Sequence, residues 1–281
     1  MQQQNSICDF SNSDSWVILS PIEQSIKRKI EAVGTPLKDW DIQINYGIKT
    51  GYNDAFIIST EKREEILANC KTEDERRRTD ELIRPILRGR DIKRYGYVDN
   101  GLYLINTHNG VKGKIPRIDI NDYPAVKVHL DQYWDKISTR ADKGDTPYNL
   151  RNCAYLEDFF KPKITWGNLN LMGTYCYAPA GFFINAPSVF IATDNVALLH
   201  ILNSKIADYY IRSLGVTRNG GYFEYKPMFV EKLPIPKDGL DVLKRIIDNP
   251  SKSQESSICA IIYSLYGLND QEIDYVEHRA F

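Results

Sequence analysis

No run in this 281-residue chain approaches the roughly 18 consecutive apolar residues of a membrane-crossing helix. Its first stretch does not follow the charged-then-apolar order of a secretory signal either. Cysteine is scarce: Cys8, Cys70, Cys153, Cys176 and Cys259 include no C-x-x-C pair, so neither structural zinc nor a disulfide framework is implied. His108, His129, His200 and His278 lack metal-ligand spacing, and there is no G-x-S-x-G and no P-loop. An excess of one charge is missing as well, because the net charge is −1. Nucleic-acid-binding chains commonly carry a basic footprint, so any footprint here has to be local. These absences predict a cytoplasmic protein in a reducing compartment, without a metal and without a membrane partner.

What is present is ordinary globular material. The chain is 42% hydrophobic and 26% charged, enough for a sizeable core in one large domain or two modest ones. Tyrosine stands out, with 18 against 10 phenylalanines. It serves strands as well as interfaces and base stacking. Met1 to Trp16 is rich in Gln, Asn and Ser and reads as a leader. Ile22, Ile26 and Ile30 recur at helical spacing after Pro21, which predicts a helix to about Val33. A strand is expected over 55–59, a helix over 60–70, and a charged connector over 72–80. Asp99-Asn100-Gly101 suggests a hairpin between 97–98 and 102–105. Long helices are expected at 123–138 and 196–214, with short strands at 163–167, 175–177, 182–184 and 189–192 between them. Residues 229–236 read as extended, 240–248 as a helix, 250–257 as a linker and 257–266 as another helix.

Five segments could carry chemistry. Gly47-Ile48-Lys49-Thr50-Gly51-Tyr52-Asn53-Asp54-Ala55-Phe56 packs glycines and short polar groups ahead of an apolar run, a turn that sets backbone N–H groups at the lip of a sheet. Arg84 to Tyr95 holds five cations, broken by Pro85 and Gly89. Arginine forks there can bind phosphate or guanine, or pair with Asp91 in a solvated turn. Arg140 to Arg151 is a loop of both charge signs. Asn168 and Asn170 follow the Lys163–Trp166 strand, and asparagine serves adenine recognition or turns. Arg218-Asn219-Gly220-Gly221 to Lys226 lets backbone approach a phosphate. Within it, Glu224-Tyr225-Lys226 also spells the E-x-K half of a metal-dependent nuclease site, with Asp194 upstream near a strand end, though E-x-K is common by chance.

Taken in order, these segments resemble the TaqI-like C-terminal specificity domain, the target-recognition part of DNA adenine-N6 methyltransferases and fused restriction–modification enzymes. The resemblance rests on G-I-K-T-G-Y-N-D-A-F at 47–56, R-P-I-L-R-G-R-D-I at 84–92, the 140–151 loop, K-P-K-I-T-W at 161–166, and G-Y-F-E-Y-K before L-P-I-P at 233–236. L-Y-G-L-N at 265–269 matches a terminal helix pair. It spans roughly residues 40 to 270.

The resemblance implies an α+β fold with a twisted, mostly antiparallel sheet, flanking helices and a small C-terminal helical tail. The expected divisions are 1–40 for leader and helix, 41–236 for the DNA target-recognition domain, and 237–281 for the tail. Double-stranded DNA is the implied partner, contacted by Lys49, Thr50, Tyr52, Asn53, Arg88, Arg90, Lys93, Arg140, Lys143, Tyr148, Arg151, Asn168, Asn170, Arg218, Asn219 and Lys226. No catalytic residue is expected. The glycine-rich methyl-donor loop and the Asn/Asp-Pro-Pro-Tyr/Phe tetrapeptide of adenine-N6 methyltransferases are absent. S-adenosylmethionine is therefore implied only for a parent enzyme, whose catalytic domain lies in the same chain or in a separate subunit. The alternative reading is a protein-interaction or scaffold module of a restriction or phage-defence complex.

Overall fold

β-Branched and aromatic pairs nucleate the strands, and short polar residues cap the helices between them. The computed structural model describes residues 19–248 and 255–279. The expected leader at 1–16 lies outside the described residues, as do 250–254 of the expected linker, whose last residues open the helix Glu255–Leu265. The chain forms two compact units. We call them the sheet unit (42–170 and 174–195) and the helical unit (the described parts of 1–41, 171–173 and 196–281).

The sheet unit contains two four-stranded sheets. One runs in the order Ile44–Tyr46, Val189–Ile191, Lys163–Trp166, Tyr175–Ala178, with every neighbour antiparallel. The other runs Ile57–Ser59, Leu102–Ile105, Ile83–Leu87, Phe183–Ile184, and its last pair is parallel. The expected α+β, mostly antiparallel class is thus observed. Phe56, Phe159, Phe183 and Phe190 are fully buried among Leu104, Ile105, Val126 and Leu130. Phe159 stacks on Phe183 with ring centroids 4.6 Å apart. Each such side chain contributes about 1.5–3 kcal/mol by leaving water.

Several expected elements differ in detail. The charged segment 72–80 is the helix Glu73–Leu82, capped by Thr72, whose hydroxyl accepts from the Glu75 amide at 3.1 Å. Three acids in its first turn suit the helix dipole, and burial of only Glu75, Thr79 and Leu82 leaves too small an apolar stripe to show as periodicity. Asn53–Phe56 is one helical turn, and the strand starts at Ile57. No 97–105 hairpin forms. Tyr97 bridges to Ile92, while Leu102–Ile105 is central in its sheet. The 123–138 helix is two pieces, Pro124–Asp131 and Trp134–Ile137. The 196–214 helix breaks where Ser204 caps Lys205–Ser213. Of the residues 229–236 expected to be extended, Phe229 and Val230 instead close the helical turn Pro227–Val230.

In the helical unit, Pro21–Val33 opens with a capping box between Ser20 and Glu23. Thr35–Pro36 pairs antiparallel with Pro234–Ile235. Leu240–Ile247, Glu255–Leu265 and Asp270–His278 supply the helical tail. Buried Glu272 accepts from the amide of the N-cap Asn269, from Lys29 Nζ at 2.6 Å and from Ser25 Oγ at 2.7 Å, which ties the terminal helix to the first. Among the described residues no helix is long and apolar enough to cross a membrane.

Candidate nucleic-acid interface

The glycine turn is built around one strap, residues 185–188. Gly47 N donates to Ser188 O at 2.8 Å, Ile48 N to Ile184 O at 2.7 Å, and Ala186 N to Ile48 O at 3.0 Å. A Cβ on Gly47 would fall 2.5 Å from Ile184 O, so only glycine permits this approach. On its far side the same strap meets the arginine turn. Asn185 N donates to Leu87 O at 2.8 Å, and a Cβ on Gly89 would touch Ser188 Oγ at 3.0 Å. Two segments distant in sequence therefore flank one backbone.

Arg140 joins the glycine turn to the 140–151 loop. It is buried, and its guanidinium donates to the carbonyls of Thr50, Asp142, Pro147 (3.0 Å) and Asn149 (2.6 Å). The guanidinium carbon sits 4.4 Å from the Phe56 ring centroid. Burial lowers its pKa to about 10, and it stays charged at neutral pH. Thr50 is buried too, donating to Asn53 Oδ1 at 2.6 Å. Arg140 and Thr50, both expected among the DNA contacts, are buried and hydrogen-bonded within these loops.

Three clefts of about 620, 640 and 580 Å³ run along this surface. The first two share Tyr46 and Lys49, and the last two share Asn152, Cys153 and Ala154, so the three adjoin one another. Lys49, Tyr52 and Asn53 line one end, Arg151 the middle, and Lys112 and Arg117 the other end. Arg151 pairs with Asp142 at 3.1 Å and Arg117 with Asp145 at 3.6 Å. Lys112 and Arg117 were not among the residues singled out from sequence. The available signal was Gly110 and Gly113, both at φ +77°, which fold Val111–Ile115 into a tight turn that presents a lysine.

In the arginine turn, Arg88 is committed. Its Nε and Nη2 both donate to Asp91 at 2.9 Å, its amide donates to the same carboxylate, and Asn100 Nδ2 adds another bond. Burial alone would raise the Asp91 pKa, but the Arg88 bonds outweigh it and hold the carboxyl below its ordinary range. Arg90 and Lys93 are exposed, with Lys93 Nζ donating to Arg90 O. Lys143 Nζ donates to Ser138 O. The Tyr148 hydroxyl donates to Asp131, and its ring packs on Trp134. Asn170 donates back to Gly167 O at 2.9 Å, and Asn168 Oδ1 is buried without a hydrogen-bond partner.

The helical unit holds the remaining segment. Gly220 and Gly221 adopt φ +75° and +82°, Asn219 is exposed, and Arg218 and Lys226 both donate to Glu224, at 3.0 and 2.8 Å. Those bonds hold Glu224 below the ordinary carboxylate range. Among the described residues no group of three or more His, Cys, Asp or Glu could hold a metal ion.

A family model described as the TaqI-like C-terminal specificity domain matches residues 84–235. The type II methyltransferase M.PaeR7I of Pseudomonas aeruginosa is 19% identical over 271 residues, covering 93% of this chain and 44% of that protein. The chain therefore spans less than half the length of this curated relative. Among solved structures, the type IIL restriction–modification enzyme MmeI in complex with DNA superposes with a TM-score of 0.59 at 12% identity, over 86% of this chain and 35% of that one. That likeness is one of fold.

Proposed function

The chain belongs to the TaqI-like C-terminal specificity domain family, and on that premise we propose that it is the sequence-reading module of a DNA adenine-N6 methyltransferase of a restriction–modification system. Double-stranded DNA is its ligand. A methyltransferase catalytic domain, in the same polypeptide or a separate subunit, binds S-adenosylmethionine and carries the reaction, and this chain contributes no catalytic group. The observation that carries the proposal is the row of adjoining clefts, with Lys49, Arg151, Lys112 and Arg117 among their lining residues and Arg90 and Lys93 exposed beyond the shared strap. Cations spaced along a groove suit a phosphate backbone, while Tyr52 and Asn53 offer stacking and hydrogen bonding to bases. On the helical unit, Arg218, Asn219 and Lys226 are the corresponding candidates.

The test is binding to duplex DNA across a salt series. The chain should bind mixed-sequence duplex with a Kd of roughly 10⁻⁴–10⁻⁶ M at physiological salt. Lys49→Ala and Arg90→Ala, if they remove phosphate contacts, should each weaken all sequences alike and reduce the salt slope by about 1. A residue reading a base should instead cost roughly 1–3 kcal/mol at one position. If both folded variants bind with unchanged affinity and slope, the row of clefts is not the DNA face and the protein-interaction reading replaces it.

A further inference from the structure

Within the helical unit, the short strap Leu171–Gly173 is fastened at both ends to the helix Lys205–Ser213. Arg212, 4% exposed, donates to Leu171 O at 2.7 Å and to Gly221 O at 3.0 Å. Gly173 N donates to Asp208 Oδ1 at 2.8 Å, and the same carboxylate accepts from the Tyr225 hydroxyl. These buried polar anchors hold the strap beside the 217–222 turn. Yet the side chains they present are apolar and wet: Leu171 is 57% exposed and Met172 52%. Exposed loop residues are mostly polar, so a leucine and a methionine held next to each other on an anchored backbone form a small exposed apolar face.

We propose that Leu171 and Met172 form an apolar wedge that enters duplex DNA between base steps, in the manner of leucine and methionine side chains that unstack and kink DNA. This rests on the DNA-recognition reading above. Charge favours DNA over a protein face: Arg218 and Lys226 flank the turn and share one carboxylate, Glu224, so the turn keeps a positive excess for phosphates beside the wedge. Tyr222, 42% exposed on the same turn, adds a ring that can stack on a base.

The experiment compares the whole chain on two short duplex pools of randomised sequence, one intact and one with a central abasic site. An abasic gap supplies the unstacked space that the wedge otherwise has to open, so wild type should prefer it by about tenfold or more. Leu171→Ser with Met172→Ser should erase that preference while leaving the salt slope on both duplexes unchanged, because the slope reads phosphate contacts the wedge does not make. Melting temperature checks the fold, and Leu171→Asn alone serves if the double variant melts early. A folded variant that keeps the preference, or a wild type without one, overturns the wedge but leaves salt-dependent DNA binding standing. Absence of any DNA binding at low salt overturns both readings. If the substitutions act only by abolishing self-association seen in sedimentation, the strap meets protein and the wedge is wrong.

Discussion

Lys163 shows what a residue type alone conceals. In sequence it is one lysine of a K-P-K-I-T-W strand entry. In the fold it is wholly buried, donating to the carbonyls of Phe159 (2.9 Å), Lys161 (2.6 Å) and Pro179 (3.3 Å). Burial lowers its pKa to about 8, against a smaller opposing pull from Asp158. A base whose pKa is depressed on folding contributes stability that is fully present above its unfolded value near 10.5 and is lost as pH falls through the folded value. At neutral pH the charged ammonium is therefore held at a cost. Raising pH from about 7.5 to 9.5 should stabilise wild type by about 1–2 kcal/mol more than Lys163→Met, whatever the variant's absolute stability. Urea unfolding of both proteins at the two pH values measures this. Equal slopes would mean that Lys163 is solvated in the folded state.

At the scale of elements, the motif segments were legible in sequence but their division of labour was not. Glycine, arginine and asparagine marked the turns at 47–53, 88–94 and 140–151, because only such residues permit close backbone approach or forked donation. Which arginine faces outward is decided by what the fold brings beneath it. Arg140 meets four carbonyls from two loops and is interior, and Arg88 meets Asp91. Arg90, one residue from the turn's glycine, meets solvent. The helix Glu73–Leu82 escaped notice because caps and charge pairs, rather than a stripe of apolar residues, specify it. Arg140→Ala would leave several buried carbonyls without donors, at about 1–3 kcal/mol each before relaxation. We expect a loss of at least about 3 kcal/mol, together with faster hydrogen exchange in both 47–53 and 142–151. Arg140→Lys should recover only part of it, because an ammonium lacks the planar fork. A substitution that loosens one loop and spares the other would show that Arg140 does not couple them.

At the scale of the molecule, the near-zero net charge hides a mild division: residues 42–170 and 174–195 hold 22 Lys/Arg against 20 Asp/Glu, and the rest of the chain 14 against 17. Sequence order could not reveal this, since the boundary crosses the chain at four places and Leu171–Gly173 belongs to the helical unit. The same division predicts an uneven response to acid. His108 and His129 lie in the sheet unit. Burial lowers the pKa of both, and the bond between His129 Nε2 and Ala55 O offsets this only in part. Each contributes stability that is complete above its unfolded value near 6.5 and declines as pH falls through the lower folded value. The depressed carboxylates Glu23, Glu272 and Glu277 of the helical unit obey the same sign, but their window opens only below about 4.5. Asp208 opposes them, since burial raises its pKa and acid favours its folded form. Between pH 6.5 and 5, then, the two histidines should weaken the sheet unit specifically. His108→Gln with His129→Gln should flatten that decline while leaving the helical unit's response unchanged, as read by hydrogen exchange in each unit at pH 7 and pH 5.5. If the double variant loses protection in the sheet unit as steeply as wild type, these histidines are protonated in the folded state without penalty, and acid acts on other groups.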